Sequence, residues 1–122
     1  MKTRILASGL ALGWPLALML TTNVVRAETV PANQAQAHIG QVVTVEGAVS
    51  GIHKSNAGVT FLDIGGQFPN NAFAAVIFKD DAGKFPDVGA FGGKTVDVTG
   101  SIRLYQGRPE IILNDPAQIK TK

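Results

Sequence analysis

Single-stranded nucleic acid asks a protein for two residue types together, cations to neutralise phosphates and rings to stack on bases. This sequence holds a small set of both. Lys54, Arg103 and Arg108 are the cations, Tyr105 and Phe68 the rings, and His53 beside Lys54 adds to a mildly basic stretch. Phe73 is a further ring, but it sits in the apolar run Ala72–Phe78, where a core position is the expectation.

Catalytic chemistry has less to stand on. Ser55 lies close to His53 without further triad or nucleophile-elbow context, and Asp63 has no acid or base beside it in the sequence. His38 has no Cys, Asp or Glu at metal-ligand spacing, and the chain contains no Cys at all. Gly65-Gly66 lacks the helix and lysine that follow a phosphate-binding glycine loop. The expectation is therefore a protein that is not an enzyme, with no catalytic residue, metal or cofactor.

The elements that must position the cations and rings are strands. Gln41 to Ile52 alternates Val43, Val45, Gly47 and Val49 with Thr44, Glu46, Ala48 and Ser50, the period-two pattern of a strand with one face on a core. Gly47 and Gly51 inside it predict a bulge or bend. Thr95 to Tyr105 repeats the design, with Val96, Val98, Gly100, Ile102 and Leu104 on one face. Both begin with a Gly-x-x-Val-x-Val-x-Gly frame, from Gly40 and from Gly93. Between them, Val59–Ile64 and Ala72–Phe78 read as a second and a third strand, and Glu110–Leu113 closes the series as a fifth.

The connections read as follows. Pro31 to Ile39 is a short helix with Ala35 and Ile39 on its buried side and Gly40 to stop it. His53 to Gly58 is a polar loop, and Gln106 to Pro109 a turn. Phe85 to Gly93, with Phe85, Val88 and Phe91 among Pro86 and three glycines, is a short helix or turn that could cover the open end of a barrel.

Residues 1–27 read as a cleaved signal peptide: Lys2 and Arg4, then an apolar run from Ile5 to Leu20, then a polar stretch before Ala27. The run falls short of the ~20 residues that span a bilayer, and Gly13 and Pro15 interrupt it. The expected product, residues 28–122, is one domain, periplasmic or secreted and free of the membrane. The leader carries Lys2, Arg4 and Arg26 and no acid, so eleven basic residues against nine acidic become a slight acidic excess without it. That balance excludes strong nonspecific binding to polyanions, whose affinity comes mostly from phosphate neutralisation.

Five strands, the first and fourth long and bent by glycine, with the one sizeable irregular segment between the third and fourth, predict an all-β fold. The specific expectation is a five-stranded Greek-key OB-fold barrel with a short N-terminal helix and a short helix or turn between strands three and four. A β-sandwich would call for about seven strands in a longer chain.

A set of local motifs points the same way. They are His38-Ile39-Gly40, Thr60-Phe61-Leu62-Asp63-Ile64-Gly65 with Phe68-Pro69-Asn70, Val76-Ile77-Phe78, Gly93-Lys94, Val98-Thr99-Gly100, Tyr105 and Gly107-Arg108-Pro109-Glu110-Ile111. Together they resemble a family of small exported bacterial OB-fold domains, found alone or fused to staphylococcal-nuclease-type thermonucleases. The resemblance runs from about His38 to Lys120. It implies the OB fold and nucleic-acid binding, and no catalytic residue.

In OB domains the ligand surface is usually the face of strands two and three with the loops joining strands one to two and four to five. His53 and Lys54 would come from the first loop, Arg103, Tyr105 and Arg108 from the second, and Phe68 from between strands two and three. Weak binding of single-stranded DNA or RNA is the functional expectation. The alternative is an envelope stress-response or interaction module that binds a protein or a small ligand in the same groove, with a nuclease or envelope protein as partner.

Overall fold

The computed structural model describes residues 27–122, so the expected signal segment lies outside the described residues except for Ala27. The described chain is mostly β, with eight strands and four short 3-10 helices. The strands are β1 (Thr29–Pro31), β2 (Val42–Lys54), β3 (Thr60–Ile64), β4 (Phe73–Ile77), β5 (Thr95–Ser101), β6 (Arg103–Tyr105), β7 (Arg108–Ile112) and β8 (Ile119–Thr121). The helices span Ala32–His38, Lys79–Lys84, Val88–Phe91 and Pro116–Gln118. The paired path runs β6-β7-β4-β3-β2-β5-β8, with β1 beside β2 off that path.

Eight strands replace the expected five for identifiable reasons. Two short ones, β1 and β8, were not foreseen, and the expected fourth strand divides at Ile102. Its first part, β5, pairs with β2, and its second, β6, pairs with β7. The ladder is an open path ending at β6 and β8, although β6 follows β5 in sequence with Ile102 alone between them.

The two similar strands are neighbours. β2 and β5 run antiparallel with Val45 opposite Val98, Val43 opposite Gly100 and Gly47 opposite Val96, so the two frames are related by a local two-fold. Their ends match too: Gly40 N–H donates to Ile102 O at 2.7 Å, and Gly93 N–H to Val49 O at 2.9 Å. Gly47 and Gly100 are places of close approach. A Cβ on either would stand 2.6 Å from an isoleucine methyl, Ile64 Cγ2 for the first and Ile111 Cγ2 for the second. Any larger residue would push core side chains apart.

The core follows the alternation. Val43, Val45 and Val49 of β2 and Val96 and Val98 of β5 meet Leu62, Ile64, Phe73, Ala75, Ile77 and Ile111, all essentially buried. Each large aliphatic or aromatic side chain taken from water contributes roughly 1.5–3 kcal/mol, the main term holding the fold. Phe85 is buried, and Val88 and Phe91 pack partly against the core. These are the side chains expected to cover one end. Two expectations fail. Ile39 is partly exposed because the helix ends at His38, leaving Ile39 extended rather than helical. Leu104 is half exposed because the β2–β5 ladder ends at Val42 opposite Ser101, so β6 runs beyond the core.

One irregularity decides which side chains reach the outer surface. Between Val49, opposite Ile64, and Gly51, opposite Asp63, β2 carries one extra residue, a bulge at Ser50. Without it, continued alternation would turn residue 53 to the core with Val45 and Val49. With it, Ile52 pairs with Leu62 on the core side and His53 pairs with Phe61 on the outside. Strand β2 also continues through Lys54, so His53 and Lys54 are strand residues and not part of a loop. Likewise β7 begins at Arg108, which narrows the expected turn to Gln106-Gly107.

Candidate nucleic-acid interface

Across the outer face of β3, β4 and β7 a single row can be followed by register. Gly51 stands opposite Asp63, Asp63 opposite Ala74, Ala74 opposite Glu110, and Glu110 opposite Arg103. Directly paired residues share a face, and strands lie about 4.8 Å apart, so Asp63 and Glu110 flank the Ala74 methyl at a separation of roughly two strand spacings. Both carboxylates are almost wholly withdrawn from water, with side chains 5% exposed. Burying an ionised carboxylate is costly unless it is paired and hydrogen-bonded.

Each carboxylate has one partner. His53 Nδ1 lies 3.0 Å from Asp63 Oδ2, which requires Nδ1 to carry the hydrogen when Asp63 is ionised. Arg103 Nε donates to Glu110 Oε2 at 2.7 Å. The Asp63 partner that was missing from its sequence neighbourhood is thus ten residues upstream, across a hairpin.

Rings and a third cation complete the surface. His53 stacks on Phe61, centroids 5.0 Å apart and planes 14° from parallel, and Phe68 tilts against it at 5.2 Å. The Arg108 guanidinium sits 5.5 Å from the Phe68 centroid and donates to Pro69 O at 2.7 Å and Asn71 O at 3.2 Å. Its acceptors are neutral carbonyls, so its charge stays uncompensated. Arg103 lies 5.6 Å from the Tyr105 ring and 5.9 Å from that of Phe78. Between these groups is a cavity of about 180 Å³ with Asp63, Ala74 and Glu110 in its lining. Asn71 also lines it, and the buried Asn71 Oδ1 has no hydrogen-bond partner.

Of the six residues singled out by sequence, His53, Phe68, Tyr105 and Arg108 line this one cavity. Arg103 lines a smaller adjoining one with Tyr105, Phe78 and Glu110. Lys54 stands apart: it lines a third cavity, about 380 Å³, formed with Ile52, Thr60, Ile77, Phe85 and Val88. The pairing of Arg103 with Glu110 also changes its part, since its charge is already balanced within the protein. Sequence reasoning did not find Glu110, Phe61 or Asn71. The available signal was a charge inside an apolar strand, in Phe61-Leu62-Asp63-Ile64 and in Glu110-Ile111-Ile112-Leu113, where only a contact-making outer face tolerates it. Among the described residues no cluster of three or more potential metal ligands occurs, and no helix is long and apolar enough to cross a membrane.

No protein-family model and no curated protein matches the sequence. Solved structures do match in shape. One is an aspartyl-tRNA synthetase from Leishmania major Friedlin, with a TM-score of 0.51 and 13% identity over 85% of this chain and 22% of that one. Another is the asparaginyl-tRNA synthetase of Entamoeba histolytica, with a TM-score of 0.52 and 17% identity over 79% of this chain and 23% of that one. This chain therefore spans less than a quarter of either synthetase. At such identities the likeness is one of fold, and it agrees with the OB architecture.

Proposed function

We propose that the protein is a non-catalytic OB-fold module that binds single-stranded nucleic acid weakly through the outer face of β3, β4 and β7. In this reading β2, β3, β4, the bent β5–β6 segment and β7 act as the five strands of a Greek-key barrel, supported by the parallel β4–β7 pairing and the antiparallel β2–β5 pairing. The observation that carries the function is the joining of an uncompensated cation to exposed rings in one cavity: Arg108 over Phe68, with His53 and Tyr105 beside them. Backbone phosphate would lie on Arg108 while bases stack on the rings. Two of the structural neighbours are, by name, tRNA synthetases, and a nucleic-acid ligand is in keeping with that.

Anisotropy titration of the purified protein with single-stranded DNA and RNA at two salt concentrations tests the proposal. Binding that weakens with salt supports it. Absence of binding at low salt defeats it and leaves a protein or small-ligand module as the better account. The same proposal includes export. Its support is the basic, apolar and polar succession of residues 1–27. N-terminal sequencing of the protein from its native host should find Glu28 first, and a chain still beginning at Met1 would refute export by cleavage.

A further inference from the structure

The composition of the cavity floor bears on which base would enter it. An ionised carboxylate can only accept hydrogen bonds, through about four lone-pair sites. Asp63 gives one oxygen to His53 and Glu110 gives one to Arg103, which leaves Oδ1 of Asp63 and Oε1 of Glu110 uncommitted beside the cavity. Asn71, whose buried Oδ1 has no hydrogen-bond partner, is a third polar residue of the lining. The two arginines are already engaged. Arg103 is turned onto Glu110, and Arg108 is tied to the carbonyls of Pro69 and Asn71 above Phe68. Ala74, between the two carboxylates in register, leaves their space unfilled. A flat ligand bounded by Phe68 and Tyr105 would thus meet acceptors at its edge and a positive charge at the rim.

We infer that this cavity is a base-selective subsite for a nucleobase that presents adjacent N–H donors, guanine foremost. The inference rests on the nucleic-acid reading above and deepens it. Guanine carries an imino N1–H and an amino N2–H₂ side by side, a pair that one carboxylate accepts together, through its uncommitted oxygen and the remaining lone pair of the engaged one. Thymine and uracil carry one imino N–H between two carbonyl oxygens, which would face carboxylate oxygens at close range. The ring stacking is indifferent to base identity. Selectivity therefore comes from Asp63 and Glu110, and affinity from the rings and Arg108.

The test varies the ligand first, so that it does not depend on any variant folding. The purified protein is titrated with fluorescent oligothymidine, with the same strand bearing one central guanine, and with the same strand bearing hypoxanthine there, which lacks only the amino group. The guanine strand should bind about tenfold tighter than oligothymidine, the scale of one good bidentate base contact. Hypoxanthine should fall between them. Equal affinities for all three strands would overturn the selectivity while leaving the nucleic-acid reading standing, whereas no binding to any strand would overturn both. As a second arm, Glu110→Gln and Asp63→Asn, each checked for a native melting transition, should shrink the guanine-to-thymine ratio severalfold. An undiminished ratio in both variants would refute the assigned role of the carboxylates.

Discussion

The outer surface of the sheet divides into two faces built on opposite terms. On β2 and β5, and just past β8, the outward groups are partly exposed polar side chains paired with one another: Thr44 and Thr99 share a 2.7 Å hydrogen bond, and Lys122 lies 3.7 Å from both Glu46 and Asp97. On β3, β4 and β7, with β6 and the neighbouring loop, the outward groups are two buried carboxylates, two guanidinium groups and several rings. The strands reflect this. β5 alternates between covered and open positions, whereas all five residues of β4 are buried, because that strand is covered on both faces. The Lys122 ion pairs on the first face stay partly exposed and contribute little. Charges on the second have left water and depend on their partners, a costly arrangement for a surface whose only task is solubility.

That contrast is easiest to break at Arg103. Replacing it as Arg103→Met strands Glu110 as an unpaired buried carboxylate, and unfolding in urea should show a loss of about 1–3 kcal/mol. A midpoint unchanged from the parent protein would mean that Glu110 is hydrated or protonated and that the two faces are alike. Phe68→Ala sharpens the comparison from the ligand side. The ring is 57% exposed, so stability should hardly move, while affinity for single strands should fall by about 1–3 kcal/mol in an anisotropy titration if a base stacks there. Tyr105→Ala should behave in the same way but more mildly, and a drop in melting temperature at constant affinity would mark it as a packing ring instead.

Two cations of the same face should then part company. Arg108→Gln should lower the salt slope of binding by about one phosphate contact, and Arg103→Gln should leave the slope nearly untouched because Glu110 already neutralises that charge. Identical slopes for the two variants would put the pairing geometry in doubt. The smallest effect is expected on the opposite face. Lys122→Met should cost no more than about 0.5 kcal/mol and leave binding as it was, as for other exposed ion pairs.

Much of this architecture was legible in the residues. Alternating valines at 43, 45, 49, 96 and 98 located the two central strands, and bend glycines announced the curvature. Covalently local patterns stopped short where the backbone changed its rule. The bulge at Ser50 reverses the facing of everything after it, so the outward placement of His53 opposite Phe61 is a property of register, not of alternation. The change of partner at Ile102 likewise ended the pattern before Leu104. The cations and rings of the candidate site were found by residue type, although the fold directs Lys54 to a separate cavity and Arg103 to an adjoining one. Asp63 was noticed but set aside for want of a partner, and Glu110 was not found, because what makes the two unusual is their meeting across Ala74, on three strands that only the fold brings together.

The strands at the margins of the sheet have a further consequence. β1, β6 and β8 are each three residues long, and they carry Pro31, Arg103 and Lys120 respectively. An unpaired edge is a template for another chain's backbone, and brevity, proline and fixed charge are the means by which such templating is blunted. A second molecule adding at β8 would gain few ladder bonds and would bring Lys120 of each copy near the other. Concentrated solutions of the protein should therefore stay free of fibrils and of edge-to-edge oligomers, even though its central strands are rich in valine and isoleucine.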